Sequence, residues 1–203
     1  MSISTGVAGL GAGVGGGGGE EVIIYQGLWQ DWNNTYTSES EEATRLLRTA
    51  TGAGTGWAKW HGVTRDPDFG GKFYLEVEIL AKDGSVALGV AQSGTNTVFG
   101  QGGTSNMGQG GRYQFLSDGR ARLNNSSYTN GFGDAWNVGD RVGVGVDMDT
   151  GVATAYLNGV AQGTLYGSVD LWTLGVEVHG ACYNVGEMVI RNPQYLPEGY
   201  KAW

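Results

Sequence analysis

The sequence is poor in cysteine, proline and charge. A single cysteine, Cys182, excludes an internal disulfide, so the fold cannot depend on one. Three prolines and 16% charged residues separate the chain from Pro-rich linkers and from highly charged disordered proteins. Lys and Arg number 12 against 20 Asp and Glu, and they form no cluster. We therefore expect no nucleic-acid partner, because phosphate binding needs clustered cations.

Signals for membrane insertion are also lacking. The chain starts MSIS without a basic segment, and the Gly/Ala/Val stretch that follows is too short and too rich in glycine for a signal or membrane helix. We expect no membrane insertion.

Glycine and large aromatic residues are abundant. The 39 glycines indicate turns and close backbone approaches, while 7 Trp and 10 Tyr can fill a protein interior, each ring burying on the order of 150–250 Å². Trp57, Trp136 and Trp172 are predicted to lie in the core. The 203 residues suit one all-β domain with an appendage.

Residues 1–42 are predicted to form a Gly-rich N-terminal arm and docking segment, and residues 43–203 the main domain. Low complexity between Gly6 and Gly19 predicts a flexible arm that could become ordered on a partner. A β-branched run and two tryptophans follow it. The predicted assembly-docking residues are Val22, Ile23, Ile24, Tyr25, Trp29 and Trp32.

A two-residue hydrophobic period dominates the main domain. In residues 73–79, Phe73 and each second residue after it are apolar, whereas Tyr74, Glu76 and Glu78 point the other way. The pattern predicts a strand buried on one face. Residues 142–148 repeat it with glycines at alternate positions, which would leave room for another layer to approach.

Turn dipeptides separate these runs. Asp83-Gly84, Asp118-Gly119 and Asn158-Gly159 can supply the positive φ angles of tight hairpins. Short strands joined by hairpins, with almost no helical period, predict an all-β antiparallel sandwich.

Four sequence blocks in this order resemble a SPRY domain, over about three quarters of the chain. They read GKFYLEVEI at 71–79, VALGVA at 86–91, GDRVGVGVDMDTG at 139–151 and AYLNGV at 155–160. The resemblance implies a bent, concanavalin-like sandwich of two sheets that recognises ligands through its end loops.

Loop aromatics and amides are the candidate ligand-binding residues. The segment 124–132 combines flat apolar rings with adaptable hydrogen-bonding groups, as binding loops do. The same residues could instead only close turns and cap the core. The predicted ligand-binding residues are Asn125, Tyr128, Asn130, Phe132 and Tyr183.

Catalytic and metal-binding patterns are incomplete. Glu76 and Glu78 would place two carboxylates roughly 6–7 Å apart on one strand, a spacing compatible with glycoside hydrolysis. Concanavalin-like hydrolases of this kind need a further acid, and Ala81 and Lys82 follow instead. The Asp residues of 147–151 lack the remaining oxygen ligands of a calcium loop and are predicted to bond turn amides. We expect no catalytic residues, no metal and no cofactor.

The sequence-based hypothesis is a non-enzymatic binding module of a bacteriophage virion: a fibre, decoration or receptor-binding subunit. A weakly charged surface rich in Gly, Ser, Thr and Asn, the glycine arm and the lack of signalling modules favour it. The arm would dock onto other virion proteins, and the sandwich would meet a host-surface protein or glycan. The chain would be made in the host cytoplasm, enter the virion and associate as a homo-oligomer, such as a trimer. The alternatives are an intracellular SPRY adaptor that binds a short peptide and a glycan hydrolase.

Overall fold

The structure, a computed structural model, describes residues 28–30, 45–48, 59–61, 64–65, 70–92, 112–123, 128–167, 176–182 and 185–203. The regular secondary structure of these ranges consists of β-strands. Within them there is no helix with the length and apolar character needed to cross a membrane.

The strands are short and mostly follow each other through hairpins. In chain order they are β1 (Leu28–Gln30), β2 (Arg45–Arg48), β3 (Lys59–His61), β4 (Thr64–Arg65), β5 (Lys72–Asp83), β6 (Val86–Gln92), β7 (Arg112–Leu116), β8 (Ala121–Leu123), β9 (Tyr128–Thr129), β10 (Arg141–Asp147), β11 (Val152–Leu157), β12 (Val160–Gly167), β13 (Val176–Cys182), β14 (Val185–Arg191) and β15 (Lys201–Ala202).

These strands form two main sheets. The first sheet has the order β12-β11-β10-β5-β14-β2, and β15 pairs with β5 beside this path. The second sheet has the order β4-β13-β6-β7-β8-β9, while β1 and β3 form a separate two-stranded sheet. All pairs are antiparallel except β15 with β5, which is parallel. The predicted antiparallel sandwich is confirmed.

One hydrophobic core fills the space between the facing surfaces of the two sheets. Its side chains include Phe73, Leu75, Val77, Ile79, Val142, Val144 and Val146 from the first sheet and Val86, Leu88, Val90, Tyr113, Phe115, Val176 and Val178 from the second. Trp136, predicted to lie in the core, is fully buried with its ring centroid 5.0 Å from that of Phe115. Trp57 and Trp172 lie outside the described residues.

The outer face of β5 is also buried, because residues 192–203, here called the C-terminal segment, return along it. The segment ends beside the start of β5, where the backbone N–H of Trp203 donates to the backbone carbonyl of Tyr74 at 2.9 Å. Tyr74 and Glu76 are both fully buried. The prediction of a strand buried on one face only is therefore wrong, because a covering layer distant in sequence leaves no mark on the local pattern.

Glycines on the outer face of β10 make room for tyrosine rings. A Cβ atom added at Gly143 would overlap the Tyr74 hydroxyl, and one added at Gly145 would come within 2.8 Å of the Tyr200 ring. Tyr200 of the C-terminal segment lies with its ring centroid 6.5 Å from those of Tyr74 and Tyr156. The expected close approach of another layer at these glycines is confirmed.

Tight turns join the strands where their dipeptides predict them. Asn158 and Gly159 have φ angles of 50° and 79°, the left-handed pair that a two-residue hairpin requires. Gly84, Gly119 and Gly151 also have positive φ, at 107°, 81° and 69°. These corners fix the register of the strands on which the candidate site lies.

We predict that Gly143→Ala destabilises the fold by about 1–3 kcal/mol, since the new methyl group must displace the buried Tyr74 side chain. Gly167→Ala is the matched control, because its Cβ would meet only the Thr164 methyl group at 3.7 Å. Urea unfolding followed by tryptophan fluorescence measures both variants. Equal midpoints for the two would contradict the packing described for β10.

Candidate ligand-binding face

The described residues include three of the five predicted ligand-binding residues. Tyr128 lies on β9, and Asn130 and Phe132 follow in the next turn. The predicted residues outside the described ranges are Asn125, Tyr183, Val22, Ile23, Ile24, Tyr25 and Trp32. Trp29, predicted to dock, lies on β1 and is the Cα partner of Trp60 on β3. At this position the predicted docking segment pairs within its own chain.

Tyr128 lies on the outer face of the second sheet together with two arginines. Tyr128 is the Cα partner of Arg122, and the core residue Ala121 precedes Arg122, so the alternation of the strand directs Arg120, Arg122 and Tyr128 outward. The guanidinium carbons of Arg120 and Arg122 lie 4.4 and 5.3 Å from the centroid of the Tyr128 ring. These are cation–π contacts, and the ring remains 39% exposed.

Asp118 fixes Arg120 at the corner between β7 and β8. Its Oδ2 accepts from Arg120 Nε at 2.8 Å and lies 2.6 Å from Nη2, while its Oδ1 accepts from the Arg120 backbone N–H at 3.1 Å. Partial burial opposes ionisation of the Asp118 carboxyl, but the bonds from Arg120 outweigh it and lower the pKa below the usual 3.8. The positive φ of Gly119 completes the corner. Arg120 is thus held in place with its charge balanced.

Gln114 lies beside Arg122 on the neighbouring strand β7. It is the Cα partner of Arg122 and lies between the core residues Tyr113 and Phe115, so it also points to the outer face. Gln114 is only 2% exposed, and its Nε2 and the Nε of Arg122 are buried without a hydrogen-bond partner in the part of the chain that the structure describes. Buried N–H groups are rarely left unpaired, because each costs about 1–3 kcal/mol.

Phe132 and Asn130 differ in exposure. Phe132 is half-buried, its ring centroid lies 5.6 Å from that of Phe115, and the ring packs over Gly163 of β12. It therefore anchors the turn between the two sheets. Asn130, next to Gly131 with φ of 65°, is exposed. We call Gln114, Asp118, Arg120, Arg122, Tyr128 and Asn130 the ligand face.

The predicted site contained Tyr128 and Asn130 of this face but missed Gln114, Asp118, Arg120 and Arg122. Arg120 and Arg122 flank the core residue Ala121 immediately after the Asp118-Gly119 turn, and this spacing alone places both arginines on one side of a strand. Their approach to Tyr128 depends on the β8–β9 pairing, which the alternation does not specify.

Glu76 and Glu78 lie on the same face of β5, as predicted, but Glu76 is enclosed. Its Oε1 accepts from the Gln194 backbone N–H at 3.0 Å, and its Oε2 accepts from the Tyr195 backbone N–H at 3.2 Å. Arg141 lies 3.5 Å from an oxygen of each glutamate. With its side chain fully buried, Glu76 presents no oxygen to a substrate.

Two further contacts involve the carboxylates of Glu76 and Glu78. The Tyr74 hydroxyl donates to Glu76 Oε2 at 3.3 Å, and burial followed by the nearby carboxylate strongly raises the pKa of Tyr74. Arg191 donates from Nε to Glu78 Oε2 at 2.7 Å. This arrangement fastens the C-terminal segment to β5 through a buried, hydrogen-bonded carboxylate.

The Asp147 turn is structural. Asp147 Oδ1 accepts from the backbone N–H groups of Asp149 and Thr150 at 3.0 and 3.2 Å, and Oδ2 pairs with Lys72 at 3.2 Å. The Asp149 carboxylate accepts from the Gly71 N–H at 2.9 Å. The prediction that these carboxylates bond turn amides is confirmed. Across the described ranges there is no group of three His, Cys, Asp or Glu residues that could hold a metal ion.

Solved SPRY domains share this fold. The SPRY domain of human HERC1 superposes with a TM-score of 0.57 at 15% identity, covering 76% of this chain and 91% of that one. A second human SPRY domain gives a TM-score of 0.54 at 14% identity, covering 77% and 96%. No family model and no curated protein matches the sequence. The chain therefore has the SPRY sandwich fold, and its own residues must carry any argument about function.

We predict that Glu76→Gln destabilises the protein by about 2–3 kcal/mol, because an amide cannot accept both backbone N–H groups and leaves Arg141 with less charge compensation. Glu78→Gln is the control and should cost less than about 1 kcal/mol, since that carboxylate is partly exposed. Urea midpoints report both effects. A Glu76→Gln variant that keeps its stability but loses polysaccharide cleavage would instead indicate a hydrolase.

Proposed function

We propose that this protein is a non-enzymatic binding module whose ligand face recognises a protein or glycan. One observation carries the proposal: the exposed Tyr128 on β9 contacts two guanidinium groups. Exposed aromatic and arginine side chains on a rigid scaffold are the residues that contribute most to binding at interfaces. The SPRY fold supports the proposal, because the resemblance implies ligand recognition.

Arg120 and Tyr128 are held in place, which favours binding with little reorganisation of these two side chains. Asp118 holds Arg120, and the Cα pairing of Arg122 with Tyr128 sets the position of the ring. Side chains that are already ordered lose little conformational entropy when a ligand arrives. Arg120 and Tyr128 would then contact a ligand without first becoming ordered.

The buried position of Glu76 argues against the hydrolase alternative. Glu76 is the inner member of the only carboxylate pair that the sequence offered for glycoside cleavage, and both of its oxygens are bonded to the C-terminal segment. A general acid or nucleophile must reach the glycosidic bond. Binding is therefore the function that the geometry of the described residues favours.

We propose further that the module acts as a subunit of a bacteriophage virion, with residues 1–42 docking it onto other virion proteins. The low-complexity glycine sequence of this region and the weak charge of the chain support this context. The sandwich would then face outward toward a host-surface protein or glycan, and copies would associate as a homo-oligomer such as a trimer. An intracellular adaptor that binds a short peptide is the alternative context.

Tyr128→Ala is expected to weaken ligand binding at least tenfold, because truncating a central interface tyrosine removes on the order of 2 kcal/mol. Ligands are first selected by panning a displayed random-peptide library and a glycan array with the full chain. Their affinities are then measured for the wild type and the variant by surface plasmon resonance.

Tyr195→Ala is the matched control for that experiment. Tyr195 is 36% exposed, close to the 39% of Tyr128, but it belongs to the C-terminal segment on the other sheet. Equal loss in both variants, or no selected ligand of either class, would argue against the ligand face as the binding site.

Deleting residues 1–27 distinguishes the two contexts while keeping β1. A virion subunit should then fold and bind its ligand but become monomeric by light scattering, whereas the full chain is a trimer. An adaptor should be monomeric with or without these residues. A monomeric full chain would count against the proposed oligomer.

A further inference from the structure

We infer that the ligand face takes an acidic peptide segment, with an Asp or Glu carboxylate of the ligand held by the Arg122 guanidinium. This inference rests on the proposed function and names the chemistry of its ligand. It follows from the charge balance of the face, from the unpaired donors beneath it and from the strand at its edge.

Charge balance singles out Arg122. Arg120 Nη2 pairs with the Asp118 carboxylate at 2.6 Å, whereas Arg122 has no carboxylate partner in the described part of the chain. The Arg122 guanidinium contacts the Tyr128 ring, and no carboxylate of the described residues accepts from its N–H groups, whose planar arrangement matches a carboxylate. An arginine that is positioned but not neutralised is suited to an anionic ligand.

Unpaired donors indicate an oxygen acceptor. Gln114 Nε2 and Arg122 Nε are N–H groups at paired positions of β7 and β8, and neither has an acceptor among the described residues. A carboxylate has two oxygens with about four acceptor positions, enough for both groups. Because both N–H groups are enclosed, the ligand oxygen reaches them through an outward shift of the Arg122 side chain.

The edge of the sheet favours a peptide over an acidic sugar. β9 is the last strand of the second sheet among the described residues, and it carries Tyr128. An extended peptide can pair its backbone with such an edge while a side chain reaches across the face. A sugar would instead stack on an open aromatic ring, but the Tyr128 ring is already in contact with two cations.

Fluorescence anisotropy of labelled peptides tests the inference on the full chain. The probes are an N-acetylated, fluorescein-labelled octapeptide of alternating Glu and Ser and the same peptide with Gln in place of Glu. We expect the Glu peptide to bind at least tenfold more tightly than the Gln peptide. Arg122→Gln should weaken binding of the Glu peptide at least fivefold, and Gln114→Leu should weaken it by a smaller factor.

Lys201→Gln is the control, because it makes the same change of charge at an exposed position on the first sheet. It should alter affinity less than twofold. Circular dichroism of all variants should match the wild type and their urea midpoints should not fall below it, which separates loss of binding from loss of fold.

Several results would overturn the inference. They are no binding of the Glu peptide at millimolar concentration, equal binding of the Gln peptide, equal effects of Arg122→Gln and Lys201→Gln, or stronger binding of a glucuronate oligosaccharide used as competitor. If library-selected ligands still depend on Tyr128 but not on Arg122, the acidic-peptide inference falls and the proposed function stands. If they depend on neither residue, both fall.

Discussion

A carboxylate buried on the outer face of a β-sheet needs hydrogen-bond donors from outside that sheet. In this protein the backbone N–H groups of Gln194 and Tyr195 supply two of them to Glu76. This contact fastens the C-terminal segment across β5. Tyr200 can then lie against the glycines of β10, and Trp203 can pack beside Phe73 with ring centroids 6.3 Å apart. Glu76 thus helps to hold the C-terminal segment against β5.

The two outer faces consequently differ in what they can do. On the first sheet, strand β5 is covered by the C-terminal segment, and its glutamates are occupied by Arg141 and Arg191. On the second sheet, Tyr128 remains exposed beside two arginines. Among the described residues, the outer face of the second sheet is where an exposed aromatic ring lies near N–H groups that have no acceptor. The binding proposed for this protein would therefore take place on the second sheet.

The antiparallel sandwich was predictable because its determinants are local. Alternation in residues 73–79 and 142–148 indicates strands, and the Asn158-Gly159 and Asp118-Gly119 corners indicate hairpins. The burial of Glu76 was not predictable, since its partners lie 118 and 119 positions away along the chain. Sequence alternation treats every charged residue on a strand as solvent-facing, which is wrong wherever a distant segment returns.

The candidate site was predictable only in part. The mixture of aromatic and amide residues in 124–132 led to Tyr128 and Asn130, which are exposed, and to Phe132, which packs between the sheets. Arg122 and Gln114 escaped notice, because their importance depends on the cross-strand pairing of β7, β8 and β9. Local composition indicates which loop residues could bind a ligand. The side chains that lie beside them on neighbouring strands depend on the strand register, which local composition does not give.

Hydrogen–deuterium exchange of the full chain, followed residue by residue by NMR, tests this division of the two faces most directly. The backbone N–H groups of Gln194 and Tyr195 lie in a non-strand segment and donate to the buried Glu76 carboxylate. They are predicted to exchange as slowly as the paired amides of β5, while the amide of the exposed Asn130 exchanges rapidly. If Gln194 and Tyr195 exchange as fast as Asn130, the C-terminal segment is not fastened by Glu76 and the account of a covered face and a binding face is contradicted.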